Sequence, residues 1–167
     1  ESTLYSSWSI SNRISTKAIL GLLNSKLLDY YNKKLFITNQ QGFPQILMTD
    51  LELLPIKVPE RNFQTLIEKV VDFILLLKKQ NKDSTFLERL IDVMVYELYL
   101  HEEIKTASAE VLKHLNNLPE LQEGDDEKNM KAIEKMSKEL YNPAHPVSIA
   151  MQKMQEVEEV KIIEGRK

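Results

Sequence analysis

The sequence predicts a mainly helical α+β fold, in which a small N-terminal sheet or hairpin packs on a long antiparallel helix pair. A helical C-terminal extension follows. Two observations predict the helices: apolar residues recur every three or four positions, and the 167 residues include only four Gly and six Pro. A third observation predicts the sheet, because short alternating apolar stretches occur within residues 1–50. The absence of cysteine excludes disulfide scaffolds and thiol catalysis.

The N-terminal elements are short strands, a helix and a hairpin. Alternation over residues 1–14 predicts one or two strands, and a helix with its N-cap at Ser15 or Thr16 continues through Tyr30. Gly21 within this helix indicates a close helix contact. A hairpin follows, with strands at 35–38 and 43–48 around a turn at 39–42.

The central elements form the predicted helix pair. Two prolines make the Pro55–Pro59 stretch an extended link. Strong helical periodicity covers residues 62–80 and resumes after a cap at Asp83–Ser84, so a turn at 81–84 joins two antiparallel helices.

Weaker amphipathic segments make up the C-terminal extension, at 103–117, 126–141 and 146–156. Residues 157–163 could end the chain as a strand or as a frayed helix. These patterns divide the chain into an N-terminal part at 1–105 and a helical extension at 106–167.

Charge is distributed unevenly along the chain. Residues 1–50 contain five basic and three acidic side chains, whereas residues 101–167 contain ten basic and fourteen acidic ones. Any nucleic-acid contact is therefore expected in the first third, and the acidic C-terminal stretch is expected to be a solvated helix surface or a protein contact. No membrane span or signal peptide is recognisable, so a cytoplasmic protein is expected. The first residue is not Met, which suggests a fragment of a longer chain.

Catalytic motifs are missing from the sequence. There is no glycine-rich phosphate loop, and His101, His114 and His145 lack the spacing of a metal site. The Glu-x-Lys pairs at 103–105 and 159–161 lack the upstream strand Asp that a metal-dependent nuclease needs. We therefore assign no catalytic, cofactor-binding or metal-binding residue to this chain.

The candidate DNA contacts are basic and amide side chains near the predicted hairpin and its helix. Asn and Gln amides can read adenine edges, and Lys can pair with phosphate or guanine. On composition alone, a purely structural interpretation is favoured. In that interpretation the two adjacent lysines lie at the C-terminal end of a helix, and the stretch at 39–42 is an ordinary polar turn. The candidates are Arg13, Lys17, Lys33, Lys34, Asn39, Gln40 and Gln41.

Several segments in order carry a family resemblance: 18–31 (AILGLLNSKLLDYY), 50–59 (DLELLPIKVP), 64–72 and 77–79. Together they resemble the C-terminal specificity domain of TaqI-like adenine DNA methyltransferases and of type IIG fused restriction-modification enzymes. They also resemble the recognition units of type I specificity subunits. The resemblance covers roughly residues 15–105.

The resemblance implies a target-recognition fragment that binds double-stranded DNA beside an upstream catalytic domain of the same parent chain. That domain would bind S-adenosylmethionine and methylate a flipped-out adenine, with an endonuclease and Mg²⁺ as further candidates for the parent. The family's Asn-Pro-Pro-Tyr/Phe signature is absent here, since Asn142-Pro-Ala-His145 differs at two positions. The alternative function is a helical protein-interaction or domain-coupling module without DNA contact.

Overall fold

The computed structural model describes residues 13–35 and 52–166, which form helices joined by turns and loops. A short 3-10 turn at Leu112–His114 lies between the fifth and sixth α-helices. The α-helices in chain order are α1 (Thr16–Leu23), α2 (Lys26–Leu35), α3 (Arg61–Lys79), α4 (Thr85–Tyr99), α5 (His101–Thr106), α6 (Asp126–Tyr141), α7 (Pro146–Met154) and α8 (Glu158–Ile163).

The predicted α+β class is wrong, because the described residues contain no strand and no small N-terminal sheet is seen. Leu35, predicted to begin a strand, is instead the last residue of α2, where Lys33 and Lys34 lie favourably at the negative end of the helix dipole. The strand alternative for residues 157–163 is also wrong, since this segment is α8. The other predicted strands and the turn at 39–42 lie in 1–12 and 36–51, outside the described residues.

The predicted helix pair is confirmed as α3 and α4, joined by residues 80–84. Helix α3 buries one side, as its spacing predicts. Helix α4 is buried on nearly all sides over residues 87–97, apart from Glu88 and Arg89. It contacts α1, α2, α3, α5 and α6, and is therefore the central helix of the fold.

The predicted single helix from Ser15 to Tyr30 is two helices. Ser15 is the N-cap, as predicted, and its side chain accepts from the Ala18 amide at 3.1 Å. The break falls at Asn24 and Ser25, whose side chains donate to backbone carbonyls of α1 at 2.9 Å and 2.7 Å. Asn and Ser side chains compete with the helical backbone in this way, and the chain turns before α2 begins.

The C-terminal helices α6 and α7 agree with the predicted segments 126–141 and 146–156, but the predicted helix at 103–117 is wrong. Helix α5 ends at Thr106, and Ser108 has a positive φ of 51°. Beyond it the Glu97 carboxylate accepts from the Val111 and Leu112 amides at 2.7 Å and 3.0 Å. A buried carboxylate on α4 thus holds this segment as a loop.

The hydrophobic core of the described residues is one cluster, with members from α1 through α8. Its buried residues come from both sides of position 105, and the division into parts 1–105 and 106–167 stays a prediction. No helix in the described parts of the chain is long and apolar enough to cross a membrane.

Candidate nucleic-acid interface

Helices α1 and α2 carry most of the described candidate residues, and they are held closely on the helix pair. A Cβ added to Gly21 would lie 2.8 Å from Ile67 Cγ2 and 3.2 Å from Val71 Cγ2 of α3. The missing side chain therefore lets α1 approach α3 more closely than any other residue would allow, which confirms the predicted close contact at Gly21.

The candidate basic side chains of α1 and α2 are exposed, and each has a partner within the chain. Lys17 Nζ lies 2.7 Å from Asp72 Oδ1, and Lys33 Nζ lies 2.6 Å from Asp29 Oδ2. Lys34 Nζ lies 5.6 Å from the centre of the Tyr30 ring, a cation–π distance. Exposed ion pairs of this kind contribute only about 0–1 kcal/mol, so a phosphate can replace the carboxylate at little cost.

The remaining candidates lie before and after these helices. Arg13 is exposed at the start of the described chain, two residues before the α1 cap. Asn39, Gln40 and Gln41 fall outside the described residues, and their role as base contacts stays a prediction. The structure therefore brings Lys33 and Lys34 together at the end of α2, while Lys17 lies on α1.

A buried amide on α3, Gln64, anchors the chain at two distant points. Its Nε2 donates to the Arg13 carbonyl at 2.7 Å and to the Pro59 carbonyl at 2.9 Å. The side chain is buried, so these bonds are shielded from water. Gln64 thereby ties the start of α1 to the end of the extended link, a role that sequence analysis did not assign.

The extended link at 55–59 is also tied to the end of α4. The Tyr99 hydroxyl donates to the Pro55 carbonyl at 2.7 Å and accepts from the Lys57 amide at 2.8 Å. Lys57 Nζ donates to the Leu98 carbonyl at 2.7 Å. The link therefore leads into α3 from a defined position on the helix pair.

A charged cluster lies at the start of α2, and the sequence analysis did not predict it. The Asp92 carboxylate of α4 accepts from the Lys26 amide at 2.8 Å, and Lys26 Nζ lies 3.3 Å from Glu164 Oε1. Burial raises the pKa of Asp92 to about 6, and the Lys26 amide and ammonium oppose this rise. An acid beside the apolar face of a strongly periodic helix is the sequence feature that could have indicated such a cluster.

An apolar groove of about 460 Å³ opens between α1, α3 and α4. Leu20, Ile74, Leu75 and Ile91 line it, and Leu20 and Leu75 are each at least 40% exposed. Its edge carries both signs of charge, including Lys78 and Glu88, whose charged atoms lie 2.7 Å apart. The groove is therefore suited to an apolar contact rather than to phosphate.

Among 13–35 and 52–166 no group of three or more His, Asp or Glu side chains is arranged to hold a metal ion. The geometry is that of a helical scaffold module, in which a rigid helix pair positions an N-terminal helical segment with exposed basic side chains.

Comparison with known proteins finds a family match for the N-terminal part of the chain. Residues 1–56 match the family model of the TaqI-like C-terminal specificity domain, which confirms the predicted resemblance for that part of the chain. The match ends at residue 56, whereas the sequence analysis predicted a resemblance that extends to residue 105. Helices α1 and α2 thus fall within the matched region, and α3 to α8 lie beyond it.

A protein of Methanocaldococcus jannaschii is also similar to this chain. It is named a putative type II restriction enzyme and methyltransferase, and it is 34% identical over 106 residues. The similarity covers 60% of this chain but only 9% of that protein. No solved structure matches the chain.

Proposed function

We propose that this chain positions double-stranded DNA for a restriction-modification enzyme, as the target-recognition part of a longer protein. The match of residues 1–56 to the TaqI-like specificity domain carries this proposal. The exposed lysines of the same region are suited to phosphate contacts, and the apolar helix pair beneath them is suited to a scaffold.

In this proposal the lysines of α1 and α2 exchange partners when DNA binds. Lys17 and Lys33 leave Asp72 and Asp29 for backbone phosphates, and Lys34 leaves the Tyr30 ring. Such contacts fix the orientation of the duplex but carry no sequence information. Base reading is assigned to the amides of Asn39, Gln40 and Gln41, with Arg13 as a further contact.

The chemistry would belong to another domain of the parent protein. An upstream catalytic domain that binds S-adenosylmethionine would methylate the adenine, and a nuclease domain using Mg²⁺ is a further candidate. The name of the Methanocaldococcus jannaschii relative, which combines both activities, supports this division of roles. DNA as the substrate also makes the cytoplasm the proposed location.

The direct test replaces Lys33 and Lys34 with Ala in the longest available form of the protein. Binding to a duplex of random sequence is measured as a function of salt. Loss of two phosphate contacts should reduce the slope of log affinity against log salt by about 2. The matched control is Lys131→Ala with Lys138→Ala, because these α6 lysines are also exposed and paired with a Glu four residues earlier.

The control pair should leave both the affinity and the salt slope unchanged. If the α2 variant also keeps the wild-type slope, Lys33 and Lys34 make no phosphate contact. If the unmodified protein shows no binding at any salt concentration, the DNA-recognition function itself is contradicted.

The apolar groove supports a second candidate function, which is coupling to a neighbouring domain. Leu75 is 46% exposed on the groove wall, so Leu75→Glu should weaken an apolar contact with little effect on folding. A coupling role predicts that this variant loses methylation while keeping the DNA affinity of the unmodified protein. Normal methylation by the variant would leave recognition as the better-supported function.

A further inference from the structure

The first residues of α2 are bonded to a distant part of the chain. Asp92 Oδ1 accepts from the Lys26 amide at 2.8 Å, and the Asp92 side chain is only 8% exposed. The first amides of a helix have no partner within the helix, and a carboxylate at that end is favoured by the helix dipole. Asp92 of α4 therefore caps α2 together with the Ser25 hydroxyl, which accepts from the Leu28 amide.

The C-terminal end of the chain completes this arrangement. Glu164 follows α8, and its Oε1 lies 3.3 Å from Lys26 Nζ and accepts from the Tyr96 hydroxyl at 3.3 Å. Its Oε2 lies 3.0 Å from Arg166 Nη2. Both carboxylate oxygens thus have partners, and the Glu164 side chain is 15% exposed. Residues 138 positions apart are joined in one cluster.

Helix α2 has few other anchors: it contacts α1, α4 and α8, and its Leu28 amide donates to the Ser25 hydroxyl at 3.4 Å. Its buried side chains are Leu27 and Leu28, both in the first turn. The helix axis beyond them is directed by the contacts at its N-terminal end. At a rise of about 1.5 Å per residue, a tilt of about 10° there displaces Leu35 by about 2 Å.

We propose that Asp92 and Glu164 are positioning residues for α2, and that the C-terminal end of the chain is thereby part of the recognition unit. This inference rests on the proposed function, since the displaced end of α2 carries Lys33 and Lys34. A shift of that size moves an ammonium group out of hydrogen-bond reach of a phosphate. The family match covers α2 but not Asp92 or Glu164.

The groups around Asp92 come from each element packed there. Lys26 of α2 favours its charged form, whereas Glu88 of α4 and Glu164 disfavour it. Burial also raises the pKa of Tyr96, so its hydroxyl stays a donor to Glu164. Burial raises the pKa of Asp92 to about 6, so its charged form, which caps α2, predominates above that pH.

The test uses Glu164→Gln, which keeps the side-chain shape and one oxygen acceptor but removes the charge. Exchange of the Lys26 backbone amide with deuterated water is measured by NMR at neutral pH. Loss of the ion pair between Lys26 Nζ and Glu164 frees the Lys26 side chain, so the first turn of α2 should open more often and exchange of the Lys26 amide should accelerate by up to about tenfold, while amides of α3 keep wild-type rates. Lys26→Gln is the second variant, because it breaks the same ion pair and leaves the reporter amide in place.

The matched control is Asp29→Asn. Asp29 also carries a carboxylate in the first turn of α2 and pairs with Lys33, but it is 52% exposed and does not contact Asp92 or Glu164. We expect the control to leave exchange of the Lys26 amide within about twofold of the wild-type rate.

The recognition readout is selection from a pool of randomised duplexes, followed by affinity measurements on the enriched duplex and a shuffled copy. Glu164→Gln should lower both affinities, because the displaced Lys33 and Lys34 lose phosphate contacts, and should also reduce their ratio by about fivefold or more, because those contacts orient the duplex for base reading. A merely structural role would lower both affinities together and leave the ratio unaltered.

Four results would decide the inference. Faster exchange with a reduced ratio supports it, and exchange no faster than in the Asp29→Asn control overturns it. A wild-type protein that enriches a sequence, with variants that keep the full ratio, overturns the recognition role alone. A wild-type protein that enriches no sequence contradicts the proposed function, and the recognition role of Glu164 fails with it.

Discussion

A substitution at Gly21 tests most directly how closely α1 packs against α3. In an isolated helix, Gly21→Ala would raise stability by about 1 kcal/mol, since Gly is the poorer helix former. In this fold the new Cβ would lie 2.8 Å from Ile67 Cγ2 and 3.2 Å from Val71 Cγ2. Carbon atoms in good contact are about 3.5–4.0 Å apart, so the shortfall at Ile67 is large.

The neighbouring side chains cannot yield easily. Ile67 is fully buried and Val71 nearly so, and a β-branched side chain in a helix has essentially one rotamer. Helix α1 must therefore move away from α3, and overpacking of this kind costs about 1–3 kcal/mol. After subtracting the propensity gain, we expect Gly21→Ala to lower the free energy of unfolding by about 1 kcal/mol.

The assay is equilibrium urea denaturation in two backgrounds, because Ile67→Leu removes the β-carbon methyl that causes the overlap. In the Ile67→Leu background, Gly21→Ala should be neutral or stabilising by up to about 1 kcal/mol. The two substitutions are then coupled by about 1–2 kcal/mol. An equal effect of Gly21→Ala in both backgrounds would refute the close approach of α1 to α3.

Two further predictions concern the buried acids of α4. Burial raises the pKa of Asp92 from 3.8 to about 6, so the folded state holds this proton more tightly than the unfolded state. The free energy of unfolding should therefore fall as pH rises between those values, by at most about 3 kcal/mol, and Asp92→Asn should remove this part of the decline. Urea denaturation of the wild-type protein and of Asp92→Asn across that pH range measures the decline in the free energy of unfolding. Equal slopes against pH in the two proteins would contradict the prediction. The charged groups facing Asp92 are Lys26, Glu88 and Glu164. Glu97→Ala leaves two loop amides without their carboxylate and should lower the free energy of unfolding by about 3 kcal/mol. The exposed Glu102→Ala is the control, expected to change stability by less than about 0.5 kcal/mol, and a comparable loss in both variants would argue against the loop contact.

The sequence correctly predicted those elements that depend only on residues close together in the chain. The apolar spacing of α3 and α4, the Ser15 cap and the start of α6 at Asp126 all follow from neighbours within a few residues, and each is confirmed. The resemblance to the TaqI-like specificity domain also follows from short segments in order, and it is confirmed over residues 1–56.

The features that sequence analysis missed depend on partners far apart in the chain. Residues 103–117 have helical spacing, yet Glu97 bonds two amides beyond Thr106 and holds them in a loop. Asp92 finds its partner 66 positions away, and Gln64 finds one 51 positions away. Periodicity reports only which side of a helix is apolar, so it cannot indicate which backbone group a buried acid or amide will bind.

The polar side chains of the helix pair share one property that bears on recognition. Gln64, Tyr99 and Asp92 bind backbone carbonyls and amides, among them the carbonyl of Arg13, a candidate DNA contact. A bond to a backbone group tolerates almost any side chain on the residue that is held. The side chain of Arg13 can therefore change without loss of its anchor to Gln64. The proposed recognition function needs this separation, because side chains that contact DNA can then vary while the scaffold that orients them stays fixed.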